Sequence, residues 1–536
     1  MSLRNRILLP AVALVSLAFL VACSSSSNNG NPPPSGGFSN SDLKGTYVFS
    51  LAGSDAAGDS VAMAGTFVAN GTGGSGGITG GTIDVNDDGF TSGPVTNNPI
   101  TGGTYTVGAD GRGEALLTTT TPFGNSITVD FVLNSNAGGM ITEFDSNGSA
   151  SGTLDLQTSA TQPPAGTYVF GLSGTSGPNA LTGAPIPAAT AGVVTLDASG
   201  NATGSMDYNN NGTPSALTIN SPGSFVMVGS NPGATFVTGS GNLTLDVYPI
   251  DATHLKFIST TPLPILSGDL YSQTSASFPS GTLVFTMAGL DNAGLQGPGP
   301  LALGGFMTSD GSSTISNGVE DFNDSGTADT TPNAFSGAIT ASGARFLLQL
   351  NTFENGNGGV PGTFTFAAYP SSGGVQLVEI DGGGVTAGAA YVQSAGASLA
   401  SAQGYGMNVT AANFNGYEED DIAEFVTSSS SISGHVDVND QGASPSSHGL
   451  SGSYALDSPA TGRGELASSA FNGVFYAVSN SDFLFLETDS GQLGLGALQL
   501  QNATAAGKSN LAARHLAVLR MVRGAKAGAK KALKRD

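Results

Sequence analysis

Asp84, Asn86 and Asp88 place three oxygen-bearing side chains at alternate positions, and Gly89 closes the run. Hard oxygen donors at that spacing, with a glycine for the bend, are the chemistry of a calcium loop. The pattern Asp-x-Asn-x-x-Gly returns at Asp207/Asn209/Gly212, Asp321/Asn323/Gly326 and Asp437/Asn439/Gly442, with Asn211, Ser325 and Gln441 in the place of Asp88. The closing bidentate acid of such a loop is missing, since Val95, Thr218, Pro332 and His448 stand there. The competing reading is a hairpin turn in which Asp and Asn bond their own backbone. Calcium at Asp84, Asn86 and Asp88 is the one cofactor expectation.

Paired acids recur as Glu143/Asp145, Glu379/Asp381 and Glu487/Asp489. Residues i and i+2 of a strand share a face, and two carboxyls can act as general acid and base on a glycoside. The second copy has Ile258-Ser259-Thr260 instead, and a repeated, partly lost pair reads as a strand end entering a turn. Gly111-Arg112-Gly113-Glu114 returns as Gly462-Arg463-Gly464-Glu465, and the third copy keeps Arg345. With so few cations in the chain, these arginines are expected to pair with nearby acids. The glycine run at 71–77 matches two nucleotide and hydrolase motifs without a strand-then-helix context, so both matches are discarded. His254, His435, His448 and His515 show no metal spacing. No set reaches a catalytic signature, and the chain is read as non-enzymatic.

The elements that carry these residues are repeated. Gly45-Thr46-Tyr47-Val48-Phe49, Gly166-Thr167-Tyr168-Val169-Phe170 and Gly281-Thr282-Leu283-Val284-Phe285 open three units, and a degenerate fourth begins near Gly404-Tyr405. Each unit closes on a strand ending in Gln157, Gln273, Gln393 or Gln501. Steps of 123, 114 and 116 residues separate the Asp84-type aspartates. That period is a domain's worth of chain rather than a solenoid repeat. The expected units are 42–160, 161–277, 278–398 and 399–507, with linkers so short that the domains should touch.

Within the first unit, period-two alternation such as Tyr47/Phe49/Leu51 and Ile127/Val129/Phe131/Leu133 marks half-buried antiparallel strands. Eight are expected, near 45–52, 61–69, 77–86, 101–108, 113–120, 126–133, 139–145 and 151–157. The fold class is therefore all-β. Eight short strands joined by hairpins suit an up-and-down barrel without exposed edges; a β-sandwich is the alternative. The architecture is similar to that of lipocalins and avidin, although this chain has no Trp.

The chain begins with Arg4 and Arg6, an apolar run from Leu8 to Leu20, and then Val21-Ala22-Cys23, which holds its single cysteine. Leu20-Val21-Ala22-Cys23 resembles the lipobox of bacterial lipoproteins. The resemblance implies a signal peptide over 1–22, lipid such as palmitate on Cys23, and membrane attachment through it. Ser24 at the next position implies the outer membrane rather than the inner. A Ser/Asn/Pro tether follows over 23–41. The Gly/Thr/Asn-rich units also resemble tandem-repeat lipoproteins of Gram-negative bacteria, a class that implies a place in the cell envelope and no particular activity. Residues 508–536 read as a basic amphipathic helix capped by Ser509.

Charge is divided sharply along the chain. Of 16 Lys/Arg and 39 Asp/Glu, the tail holds nine basic residues and one acid, and the signal holds two more basic residues. Residues 24–507 are left with five basic residues against 38 acids, a formal charge near −33. Such a body repels nucleic acid. The expected function is non-enzymatic binding, adhesion or envelope structure, with a polysaccharide, surface or envelope-protein partner met by many weak copies. Two alternatives are a carrier of small apolar ligands in cavities lined by Tyr47, Phe49 and Phe131, and a carbohydrate-active enzyme.

Overall fold

The computed structural model describes residues 37–502 except for 121–124, 179–184, 229–230, 292–298, 358–359, 414–416, 442 and 458–459. Cys23 and its lipobox, most of the tether and the basic tail lie outside the described residues. The chain forms four closed antiparallel barrels of eight strands each. They run from Lys44–Asp55 to Gly148–Leu156, from Gly166–Pro178 to Ile265–Ser272, from Ser280–Asp291 to Gly384–Val392, and from Gly404–Asn413 to Gln492–Leu500. Among the described residues the helical element is a single 3-10 turn, Asn40–Asp42.

Each barrel is up-and-down: successive strands pair, and the first strand pairs with the last, as Phe49 with Leu154 and Phe285 with Ala390. The fourth strand of the first barrel is broken at Thr101 into Val95–Ile100 and Gly102–Val107, and both pieces pair with Gly76–Asp87. Closure pairs nearly every strand on both sides, which leaves little edge for another chain; in the first barrel the short piece Val95–Ile100 pairs on one side only, with Gly76–Asp87.

Small barrels must be filled by side chains. Here phenylalanines stand opposite glycines across neighbouring strands, as in Phe49/Gly65, Phe170/Gly192 and Phe285/Gly305. A Cβ on Gly65 would sit 2.7 Å from the Phe49 ring, and one on Gly192 would sit 2.7 Å from Phe170. The ring lies where the missing side chain would be, which lets the strand coil tightly and still close the core. Tyr47, Phe49 and Phe131 belong to one such packed cluster. They are buried and pack together inside the barrel.

The four barrels close into a ring. The first two or three strands of each barrel face the last three of the next, and the fourth barrel meets the first in the same way. This is a head-to-tail contact repeated four times until it closes. Apolar residues seal the seams: Val48, Ala62, Tyr248 and Ile258 between the first and second barrels, and Val132, Met140, Ile422 and Ala497 between the fourth and first. A larger cluster including Val169, Ala189, Val284, Val378, Leu484 and Leu495 runs through the second, third and fourth. A cavity of about 40 Å³, lined by Ser50, Ser151, Ser173, Ser267, Asp269 and Gln376 among others, lies where the first three barrels meet.

Candidate functional site

The residues marked by their spacing converge on the seams. Asn86, Asn209, Asn323 and Asn439 each sit near the end of a barrel's third strand with the side chain outward. Every one donates its amide N–H groups to backbone carbonyls of the next barrel. Asn86 reaches Ser259 O at 2.9 Å and Thr261 O at 2.8 Å; Asn209 reaches Glu379 O and Gly384 O, both at 2.8 Å. Asn323 reaches Gln492 O at 3.0 Å and Glu487 O at 3.3 Å, and Asn439 closes the ring on Glu143 O at 2.7 Å and Gly148 O at 2.9 Å. Loss of such an amide strands the buried carbonyls that it serves. Asn209→Ala is therefore expected to cost about 1–3 kcal/mol, read as a lower melting temperature, while Asn201→Ala at the exposed start of the same strand changes it little.

The glutamines that end each unit do parallel work. Gln157 Nε2 donates to Pro249 O at 2.7 Å, Gln273 to Pro370 O at 3.0 Å, Gln393 to Ala477 O at 2.8 Å and Gln501 to Leu133 O at 3.1 Å. The backbone beyond them continues the contact: Thr158 N bonds Ile250 O, Ser394 N bonds Val478 O and Asn502 N bonds Asn134 O. The linkers are pinned to the following barrel, or in the last case back to the first. The repeated glutamine was visible in the sequence; its partner was not, because a carbonyl leaves no residue signature.

Charge completes the seams. The repeated arginines, Arg112 and Arg463 between glycines and Arg345 at the matching turn, pair with the aspartate of the preceding unit: Arg345 with Asp207, Arg463 with Asp321, and Arg112 with Asp437. Tyr369 and Tyr476 donate their hydroxyls to the first two of these aspartates. The second barrel lacks this arginine, and Asp84 meets Asp246 and Tyr248 instead. Burial, and then the facing Asp84, push the Asp246 carboxyl up to about 7. Two carboxyls in contact each disfavour the charge of the other. The cation of this seam is Lys256, fully buried, which pairs with Asp155 of the first barrel at 3.4 Å and with Asp269 at 3.6 Å. His254 Nε2 lies 2.7 Å from the same Asp269 and its ring stacks on Tyr271. Four of the five basic residues in the body thus serve one seam each, and exposed Lys44 is the fifth.

The structure separates the calcium trio by role. Asp84 and Asn86 belong to the seam, and Asp88 lies half-buried in the adjoining turn, where the Asp59 charge acts on it. The paired acids also divide. Asp145, Asp381 and Asp489 tie their turns to the preceding strand by accepting the backbone N–H of Thr128, Thr365 and Asn472. Their glutamate partners are buried, and burial raises all three carboxyls, Glu487 to about 8. Buried glutamates behind these turns do not flank an open cleft in which a sugar could lie between two acids. One metal-type cluster stands out among the described residues: Asp110, Glu424 and His435 bring ligand atoms within 4.8 Å of one another at the closing seam. Arg112 already occupies its edge, bonded to Asp110 at 3.2 Å.

The arrangement locks four copies of one barrel into one body and turns the middle strands of each outward. Those strands are largely exposed and rich in Thr, Ser and Asn, as in Thr327–Ser342 and Ser446–Leu456. The chain matches no protein-family model and no curated protein.

Proposed function

We propose that this chain is a non-enzymatic, lipid-anchored protein of the cell envelope, held through Cys23, whose barrel ring presents repeated outer faces to a polysaccharide or envelope-protein partner. The observation that carries the reading is the use of the charged and amide motifs. Asp, Asn, Gln and Arg of the units build the seams, and what remains outside is a polar surface repeated around a fixed frame. A fixed frame gains from multivalency because the second contact needs no further ordering. The lipobox supports the anchor, and the body's charge near −33 supports a partner other than nucleic acid.

The test is metabolic labelling of the full chain with palmitate in a Gram-negative host, followed by separation of inner and outer membranes. Label in the wild type, its loss in Cys23→Ala, and recovery of the protein with outer membranes are expected. Equal labelling of both, or a wild type that stays with soluble proteins, overturns the anchor.

A further inference from the structure

The closing seam carries a mixed set of nitrogen and oxygen donors that the other three seams lack. His435 and Glu424 face each other across neighbouring strands of the fourth barrel, on the same outward side as the seam residue Ile422. Asp110 meets them from a turn of the first barrel, and one ligand atom from each of the three lies within 4.8 Å of the others. Glu424 is buried, whereas the His435 side chain is 54% exposed. The same register positions can be followed round the ring. They hold Thr66 and Thr82 in the first barrel, Val193 and Ser205 in the second, and Phe306 and Val319 in the third. Val193 and Phe306 pack into the apolar seam of their barrels. The fourth barrel has a carboxylate and an imidazole where those two pack, and the first barrel supplies a third donor.

The spacing suits a small divalent transition metal. Bonds of about 2.0–2.2 Å from zinc to nitrogen and oxygen place the donors of a tetrahedron about 3.3 Å apart. His435 Nδ1 and Glu424 Oε1 already stand 3.1 Å apart. Asp110 lies on a half-buried turn and has at most about 1.5 Å to draw in. Arg112 does not neutralise the trio. Its Nη1 is bound to both oxygens of Asp437, at 3.0 and 3.2 Å, and its Nε reaches Asp110 Oδ2 at 3.2 Å. Asp110, Glu424 and Asp437 thus set three carboxylates against one guanidinium, a balance that a dication completes. The bond from Arg112 orients the Asp110 carboxylate as an outer-shell partner orients a metal ligand. The exposed His435 ring gives an ion its way in and leaves a fourth position to water.

We propose that His435, Glu424 and Asp110 form a zinc site that clasps the fourth barrel to the first. Imidazole with two carboxylates is a donor set that zinc accepts, whereas calcium and magnesium take oxygen. The place of the site gives it a mechanical meaning. The other three junctions are each spanned by the chain itself; this one joins the first barrel to the last through noncovalent contacts alone. An ion held by both barrels ties the ring where no linker does. The site shares no residue with the Asp84, Asn86 and Asp88 loop, because its donors lie in two units and carry no motif spacing.

The test is calorimetric titration of the full chain, freed of metal by a chelator, with zinc, alongside thermal melting. One zinc per chain is expected, with a melting temperature that rises with zinc concentration. Equal concentrations of calcium or magnesium should not displace it. His435→Ala changes an exposed side chain, so it should leave metal-free melting close to that of the wild type and weaken zinc binding about 100-fold or more. Asp110→Asn keeps an oxygen for the Arg112 backbone N–H that Asp110 Oδ1 now accepts at 3.1 Å. It should weaken zinc about tenfold or more, which reads the contribution of the first barrel. A wild type that takes up no zinc at about 1 mM overturns the site, as does displacement of zinc by calcium or undiminished binding in His435→Ala. Undiminished binding in Asp110→Asn overturns the clasp between barrels.

Discussion

Replacing Arg463 with methionine is expected to destabilise the ring by about 3–5 kcal/mol, the largest effect of any single seam change. Both side chains of the pair are buried, Arg463 at 2% and Asp321 at 0% exposure. The guanidinium grips both carboxylate oxygens, each at 2.8 Å, and donates to Asp457 at 2.9 Å and to Thr330 O at 2.9 Å. Tyr476 donates to the same carboxylate. Methionine keeps much of the volume but leaves a desolvated carboxylate with the tyrosine alone to bond it. Burial already pushes the Asp321 carboxyl up against the pull of Arg463. The double variant with Asp321→Asn should recover much of the loss, because an uncharged, bonded pair is tolerated where half an ion pair is not. Arg112→Met should do less, since its side chain is 23% exposed and water can replace it. Calorimetric melting of the three variants decides the matter; a loss below about 1 kcal/mol for Arg463→Met would place the pair with ordinary surface bridges.

The second large effect is a fall in stability as pH rises. Burial, helped by Asp437 and Glu114, raises Asp130 to about 8, and burial raises Glu487 to about 8 and Asp87 to about 7. Glu143, Glu379 and Asp421 shift the same way, burial being the main cause in each. The sign follows from proton linkage: these carboxyls hold protons in the fold that they release in the unfolded chain above about pH 4. Their contribution is complete below that pH and is lost as pH climbs through 7 to 8. A tenfold change in the proton affinity of one carboxyl is worth about 1.4 kcal/mol, so three carboxyls that each bind the proton only tenfold tighter in the fold already account for about 4 kcal/mol. His435, raised chiefly by its bond to Glu424, adds to the same trend. Asp197 and Asp310, held low by hydrogen bonds on exposed turns, oppose it weakly. The melting temperature should therefore be clearly higher at pH 5 than at pH 9, and refolding at pH 6 should take up protons. A flat or rising profile would show that these acids are ionised in the fold.

The barrels were legible in the sequence because their causes are local. Alternation set the strands, and the expected run at 45–52 appears as Lys44–Asp55 and that at 126–133 as Ser126–Ser135. The expected strand at 101–108 appears shorter and preceded by a second piece, since Thr101 breaks it. The pairing of Arg112 and Arg463 with acids could be read from the scarcity of cations, but not that the acid belongs to the previous unit. Asn209 and its acceptor carbonyl on Glu379 are 170 residues apart. Nothing in the strand pattern encodes that distance, and the acceptor is backbone.

The closing contact of the fourth barrel on the first changes what kind of object the chain is. Identical subunits arranged head to tail fall apart on dilution and must keep their interfaces alike. A single polypeptide that makes the same circle does neither. Its assembly is independent of concentration, and each junction is free to drift. The junction built on Lys256, where Asp84 faces Asp246, differs from the other three, which are built on arginine. The faces that would recruit a further copy are spent on one another, so growth into a filament is closed off by the covalent order of the units themselves.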